Sequence, residues 1–235
     1  MIVMRRILTE MQTGAYRNLE RLPPEVEISH QLGVSRTVVR DSMAMLEQEG
    51  FISRKHGLGT VINHHVLKAS TRIDIEREFF DMIRDAGYTP SVRVLDIQET
   101  KAGSRIGGIL GIPANSDVIR ISRVAYADNT PAIYYVDTID KRNIVDFSYT
   151  EADLHENIFV FLKKYCKVEV FTDLTEVQAV NATAYLAQVL QVPLRKALLL
   201  LDECGYDLKG KAVLHSKEYY RSDIFHHYVV RKKVL

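Results

Sequence analysis

Ser35, Arg36, Thr37 and Arg40 stand close together in the run VSRTVVRD, and a second basic group, Arg54, Lys55, His56 and Gly57, follows in SRKHGLGT. Hydroxyls beside two guanidinium groups suit one chemistry well. They can hold phosphate oxygens, and the forked donors match the O6 and N7 acceptors of guanine. At 100° per residue on a helix, Arg36, Thr37 and Arg40 fall within an arc of roughly 100°. That arc borders the face set by Val39, Met43 and Leu46 without entering it, so the polar group can point outward while the helix stays packed. A helix amino terminus adds free N–H groups and the positive end of its dipole, both favourable to anions.

The elements needed to position these residues are legible around them. Ser35 has the chemistry of an N-cap, and Gly50 ends the apolar repeat that begins at Val39. Just before it, LPPEVEISHQLG predicts a short helix. Its prolines sit where a first turn tolerates them, Glu25 and Glu27 suit the amino terminus, Ile28 and Leu32 share a face, and Gly33 stops it. Gly33-Val34-Ser35 is then the turn of a helix-turn-helix, whose second helix enters the major groove. An opening helix over residues 2–13 carries Ile7, Leu8 and Met11 on one side. Residues 51–54 and 60–63 pair as strands around the loop 55–59, where two glycines allow positive φ.

Residues 64–73 have weak periodicity and read as a linker. Beyond them helices are expected near 74–86, 102–110, 156–166 and 182–190. Strands are expected near 92–100, 117–127, 131–139, 168–180, 196–207, 211–221 and 225–231, with YADNTP and YDLKGKA as hairpin turns. This is an α+β pattern. The expected division is a DNA-binding domain over 1–63, a linker over 64–73 and a second domain over 74–235.

The 235 residues include 46% hydrophobic and 26% charged, ordinary for a globular chain and against bulk disorder. The net charge is +1; residues 1–72 carry ten Lys/Arg against seven Asp/Glu, a mild basic excess that gains meaning only from the motif within it. No apolar run reaches membrane-spanning length, so a cytoplasmic protein without a membrane partner is expected. Cys166 and Cys204 have no metal-ligand spacing and read as small buried side chains. The pairs His64-His65 and His226-His227 are adjacent, which does not suit one metal seen from a strand. No Ser/His/Asp, HExxH or P-loop pattern occurs, and no partner can be placed within proton-transfer reach of Glu176 or Arg123. No catalytic residue, metal or cofactor is expected.

The run LPPEVEISHQLGVSRTVVRDSMAMLEQEGFISRKHGLGTVI resembles the winged-helix domain of the GntR family of bacterial transcription regulators. The resemblance implies that Ser35, Arg36, Thr37 and Arg40 are recognition-helix contacts and that His56 and Gly57 form a wing tip entering the minor groove. Arg54 and Lys55 are expected on phosphates rather than bases. Val26 stands where relatives often carry an arginine that reaches DNA, and Val38 where many carry a second threonine.

LGIP, RVAYADNTPAIYYVDTI, ENIFVFLKKY and KAVLHSKEYYRSDIFHHYVV resemble, in that order, the UTRA effector-binding domain of HutC-type GntR regulators. That resemblance implies a chorismate-lyase-like fold, a small-metabolite pocket between sheet and loops, and a homodimer on a palindromic operator. Carried over, Ser91 lies in a loop that contacts anionic ligands, and Arg123 is the first of an arginine pair whose second position is Ala125. Asn157 and Phe159 replace a serine and a tyrosine, Tyr135 and Leu214 replace glutamates, and Tyr220 is a pocket tyrosine. The expected effector has one anionic group and a larger apolar part. The whole implies a ligand-responsive repressor. The alternatives are an enzyme of the chorismate-lyase-like fold, or an effector-binding module without a DNA-binding role, which Arg36, Arg40 and Gly57 speak against.

Overall fold

Three short amphipathic helices open the chain because their apolar residues recur at helical spacing: α1 (Ile2–Gln12), α2 (Glu25–Leu32) and α3 (Arg36–Gln48). The computed structural model describes residues 2–55, 57–69, 71–75 and 77–231. It divides into two units, Met1–Glu76 with His227–Leu235, and Arg77–His226.

In the first unit, Ile7 and Met11 of α1, Ile28 of α2, and Val39, Met43 and Leu46 of α3 are buried in one cluster with Phe51, Ile52 and Ile62. Gly33 ends α2 at φ 65°, the left-handed region that an L side chain enters only at a cost, and the Val34 N–H returns to the Ser29 carbonyl. Ser35 then caps α3: its Oγ accepts from the Val38 N–H at 3.3 Å, a cap that contributes about 1 kcal/mol. The strands β1 (Ile52–Lys55) and β2 (Gly59–Ile62) pair antiparallel, Lys55 opposite Gly59.

The segment 64–73 is not the open linker expected. It holds a helical turn, α4 (His64–Leu67), and a short strand, β3 (Thr71–Arg72), and its polar groups find partners in the same unit. His64 Nε2 meets the Leu19 carbonyl at 2.9 Å, and buried Arg72 donates to the Glu49 carbonyl at 2.7 Å, pairs with Asp74 and lies over the Phe51 ring. The strand expected at 225–231 is also different. Only β10 (His227–Tyr228) forms, and it pairs in parallel with β3 in this unit rather than joining the large sheet. The unit therefore exceeds the expected 1–63, and the chain crosses between units twice.

The second unit is built on a six-stranded antiparallel sheet of order β4-β5-β6-β9-β8-β7, with β4 (Pro90–Lys101), β5 (Asp117–Ala127), β6 (Thr130–Asp140), β7 (Thr172–Asn181), β8 (Ala197–Tyr206) and β9 (Ala212–Arg221). Alternation along the strands separates two faces. On one face, α5 (Phe79–Asp85) contributes Met82 and Ile83 to a cluster with Ile133, Tyr220 and Phe225. On the same face, α7 (Ile158–Phe161) and the π-helical turn after it pack against Ile119, Ile121 and Ile139. On the other, α8 (Ala184–Leu190) covers Val124 and Tyr134, and α6 (Gly103–Leu110) sets Arg105 on Asp202 at 2.6 Å. The helix expected at 74–86 shortens to α5, and the strand expected from 168 begins at Thr172. Cys166 and Cys204 are buried and unbridged, and burial pushes the Cys166 thiol up to about 11.

Candidate functional sites

The packed side of α3 leaves its other side to solvent. Ser35, Arg36, Thr37 and Arg40 are all exposed, while Val39 between them is fully buried. The Arg40 guanidinium makes a loose contact, 3.8 Å from the Glu25 carboxylate, and its side chain is 58% exposed. A pair so wet and so long is worth little and yields easily to a stronger anion. Arg54 is more committed. Its Nε donates to Glu47 at 2.9 Å and its backbone N–H to the same carboxylate at 2.8 Å, so Glu47 fixes the first strand of the hairpin and takes part of the donor capacity expected for phosphate. Gly57 sits at φ 75° in the hairpin loop, a conformation that suits glycine. His56 lies outside the described residues, as does the Lys55 side chain.

The second site follows from strand pairing. Arg123 of β5 lies opposite Tyr135 of β6, which lies opposite Glu218 of β9, which lies opposite Leu201 of β8. One step along the same face, Asp137, Ser216 and Glu203 form a parallel row. A polar belt thus lies between the two apolar clusters of that face.

Arg123 is 2% exposed and Asp137 is 3% exposed. Arg123 Nη1 pairs with Asp137, and Nη2 donates to the carbonyls of Leu154 at 2.8 Å and Glu156 at 3.1 Å. Its guanidinium lies 5.9 Å from the centre of the Tyr135 ring. The Ser216 hydroxyl donates to the other Asp137 oxygen at 2.7 Å. Burial pushes the Asp137 carboxyl up, and Arg123 and Ser216 oppose that shift. Tyr135 is also raised, by burial first and then by Asp137. Beside the belt, the Tyr220 hydroxyl donates to Glu218 at 2.5 Å, and Phe79 meets Tyr135 edge-on at 4.7 Å between ring centres.

The structure thus brings Arg123, Tyr135 and Tyr220 together, with Asn157 at the margin. Asn157 caps α7 by accepting from the Phe159 N–H at 2.8 Å, and donates to Glu78 at 2.7 Å. Phe159 is half-buried against the α7 cluster. Ser91 does not join them. It lies in strand β4, not in a loop, opposite Tyr126, whose ring packs with the other face. Nor is Arg123 an open fork, because Asp137 and two carbonyls already occupy both terminal nitrogens. Asp137, Ser216, Glu218 and Phe79 were missed, although charged residues at alternate positions of otherwise apolar strands were a usable signal. A cavity of about 590 Å³ lined by Gly108, Asp140, Arg142, Asn143, Tyr206 and Lys211, among others, holds none of the expected effector residues.

With this geometry in view, residues 2–62 match the bacterial regulatory proteins of the gntR family, and residues 85–226 match the UTRA domain. The chain belongs to the UTRA-containing GntR regulators. This GntR protein is 26% identical over 234 residues to the HTH-type transcriptional repressor NagR of Bacillus subtilis, covering 97% of this chain and 93% of that one. Its fold matches the crystal structure of the possible transcriptional regulator YydK of B. subtilis with a TM-score of 0.79 at 18% identity, over 99% and 100% of the two chains. It also matches PhnF of Mycobacterium smegmatis with a TM-score of 0.61 at 19% identity, over 97% and 99%. NagR is a transcriptional repressor and YydK a possible transcriptional regulator, and by its family membership the GntR protein is a regulator of transcription, not an enzyme. No helix among its described residues is long and apolar enough to cross a membrane.

Proposed function

We propose that this protein is a metabolite-controlled repressor that binds a palindromic operator as a homodimer in the cytoplasm. The observation that carries the reading is the joint exposure of Ser35, Arg36, Thr37 and Arg40 at the amino terminus of a helix whose opposite side is buried. In this reading α3 enters the major groove, Arg36 and Arg40 read base edges, and the β1–β2 hairpin, with Lys55, His56 and Gly57, lies along the adjacent minor groove. Arg54 supports the hairpin through Glu47 and touches phosphate with its remaining donors. The name of the relative NagR, a transcriptional repressor, supports repression as the sign of control. The effector occupies the face bearing Arg123, Tyr135, Asn157, Phe159 and Tyr220. A coupling of about 1–3 kcal/mol between that face and the operator changes DNA affinity by about 5- to 150-fold.

Salt titration of the full chain on its operator tests the DNA half of this reading. Affinity is expected to fall linearly in log-log form with salt, each phosphate contact adding about 0.9 to the slope. Lys55→Ala is expected to lower that slope by about one without changing the preferred sequence. A salt-independent affinity, or an unchanged slope in the variant, would remove the phosphate contact from the account.

A further inference from the structure

The effector face carries its positive charge on a residue that is already spoken for. An oxyanion is held best by two parallel N–H donors of one guanidinium. In Arg123 the terminal nitrogens are bonded to Asp137, Leu154 and Glu156, and Ala125 stands at the second arginine position of the family pattern. Those bonds use three of the five N–H donors; of the two left, one on Nη1 and the Nε–H, the Nε–H is buried and has no acceptor among the described residues. The Nε–H donates to a single hydroxyl or carbonyl oxygen, and with the Nη1 donor on the opposite side of the guanidinium it forms no fork.

The neighbours point the same way. Asp137 and Glu218 are buried, and Glu203 joins Asp137 and Ser216 in one cross-strand row. Three carboxylates therefore face one guanidinium along the belt. Burial pushes the Glu203 carboxyl up to about 7, the Thr175 hydroxyl that donates to it at 2.9 Å opposes the shift, and Asp173 and Asp137 add to it. Phe79, Tyr135 and Tyr220 supply aromatic surface beside the carboxylates.

We propose that Asp137 sets the effector class: by locking Arg123 it excludes phosphate and carboxylate groups and leaves a site for a neutral or cationic hydroxylated metabolite. The ligand's oxygen meets Arg123 Nε–H, its hydroxyl or ammonium donors meet Glu218 and Glu203, and its carbon skeleton lies on the aromatic rings. This corrects the anionic effector expected from the sequence. It rests on the reading that this face is the effector site.

The test uses the full chain, with inorganic phosphate, glucose 6-phosphate, glucose and glucosamine as probes, read by calorimetric titration and by thermal shift, since a ligand of the folded state raises the melting temperature. The native protein is expected to show no saturable binding of phosphate or glucose 6-phosphate at millimolar concentration. Asp137→Asn, nearly the same shape, and Asp137→Ser are expected to bind phosphate at least tenfold more tightly than the parent, with the gain lost when Arg123→Met is added. Phosphate binding by the native protein that Arg123→Met abolishes would overturn the proposal even if neither Asp137 variant folds. So would Asp137 variants that fold and gain nothing. Operator affinity measured in the same titrations separates the two readings: phosphate that binds Asp137→Asn through Arg123 yet leaves operator affinity untouched supports the lock but removes this face as the effector site.

Discussion

Arg123→Ala is expected to destabilise the unit of residues 77–226 by about 3–5 kcal/mol, the largest effect of any single change considered. The reason is the partner left behind. Asp137 is 3% exposed and would keep only the Ser216 hydroxyl, while the carbonyls of Leu154 and Glu156 would lose a charged donor. Removing a polar partner in a buried site costs more than the bond itself contributed, because the orphaned group has surrendered its water. For a unit of this size the loss corresponds to a fall in melting temperature of roughly 6–20 °C. Replacing both members by apolar residues of similar volume, Arg123→Met with Asp137→Leu, is expected to recover most of that stability, since no charge then remains to be desolvated. Denaturant unfolding of the parent, the single variant and the double variant decides the matter. A single variant within 1 kcal/mol of the parent would mean that the pair is open to water and not the locked element described.

Arg40→Ala is expected to show the opposite pattern, a loss in DNA binding without a loss of fold. The guanidinium is mostly solvated and its pair with Glu25 is long, so the chain should melt within about 0.5 kcal/mol of the parent. On the operator the same change is expected to cost about 1–3 kcal/mol and to relax the preference at one base pair, as for a bidentate contact to guanine. Arg36→Ala should behave alike at a neighbouring position. Competition binding against single-base operator variants reads both quantities. Equal loss on every sequence would reassign Arg40 to phosphate.

The first unit was readable because local rules agree with one another there. Val39, Met43 and Leu46 recur at helical spacing, Ser35 caps and Gly33 turns, and each signal is complete within a few residues. The segment 64–73 was not readable for the converse reason. Arg72 looks like a linker residue in sequence and becomes buried only because Glu49, Phe51 and Asp74 are brought to it by the fold. His227 and Tyr228 likewise look like one more hairpin strand, and nothing nearby in sequence indicates that their partner is Thr71–Arg72. Arg123, Tyr135 and Tyr220, the residues proposed for the effector, were named through the family pattern, and strand register sets them on one face. Asp137 was missed, although it changes what Arg123 can do, because its significance lies in strand register. Ser91 was misplaced for a related reason: in a strand, a position is assigned to a face by its parity, and Ser91 has the parity of Tyr126 rather than of Arg123.

The claim on which the rest depends is that the amino terminus of α3 reads the major groove, and guanine N7 methylation tests it most directly because the added methyl group lies in that groove alone. Operators selected by the full chain from random duplexes should bind much more weakly when guanines of each half-site are methylated at N7. In Arg40→Ala the sensitivity should disappear at one guanine and persist at the others. Binding indifferent to N7 methylation throughout the operator, in parent and variant alike, would contradict the account.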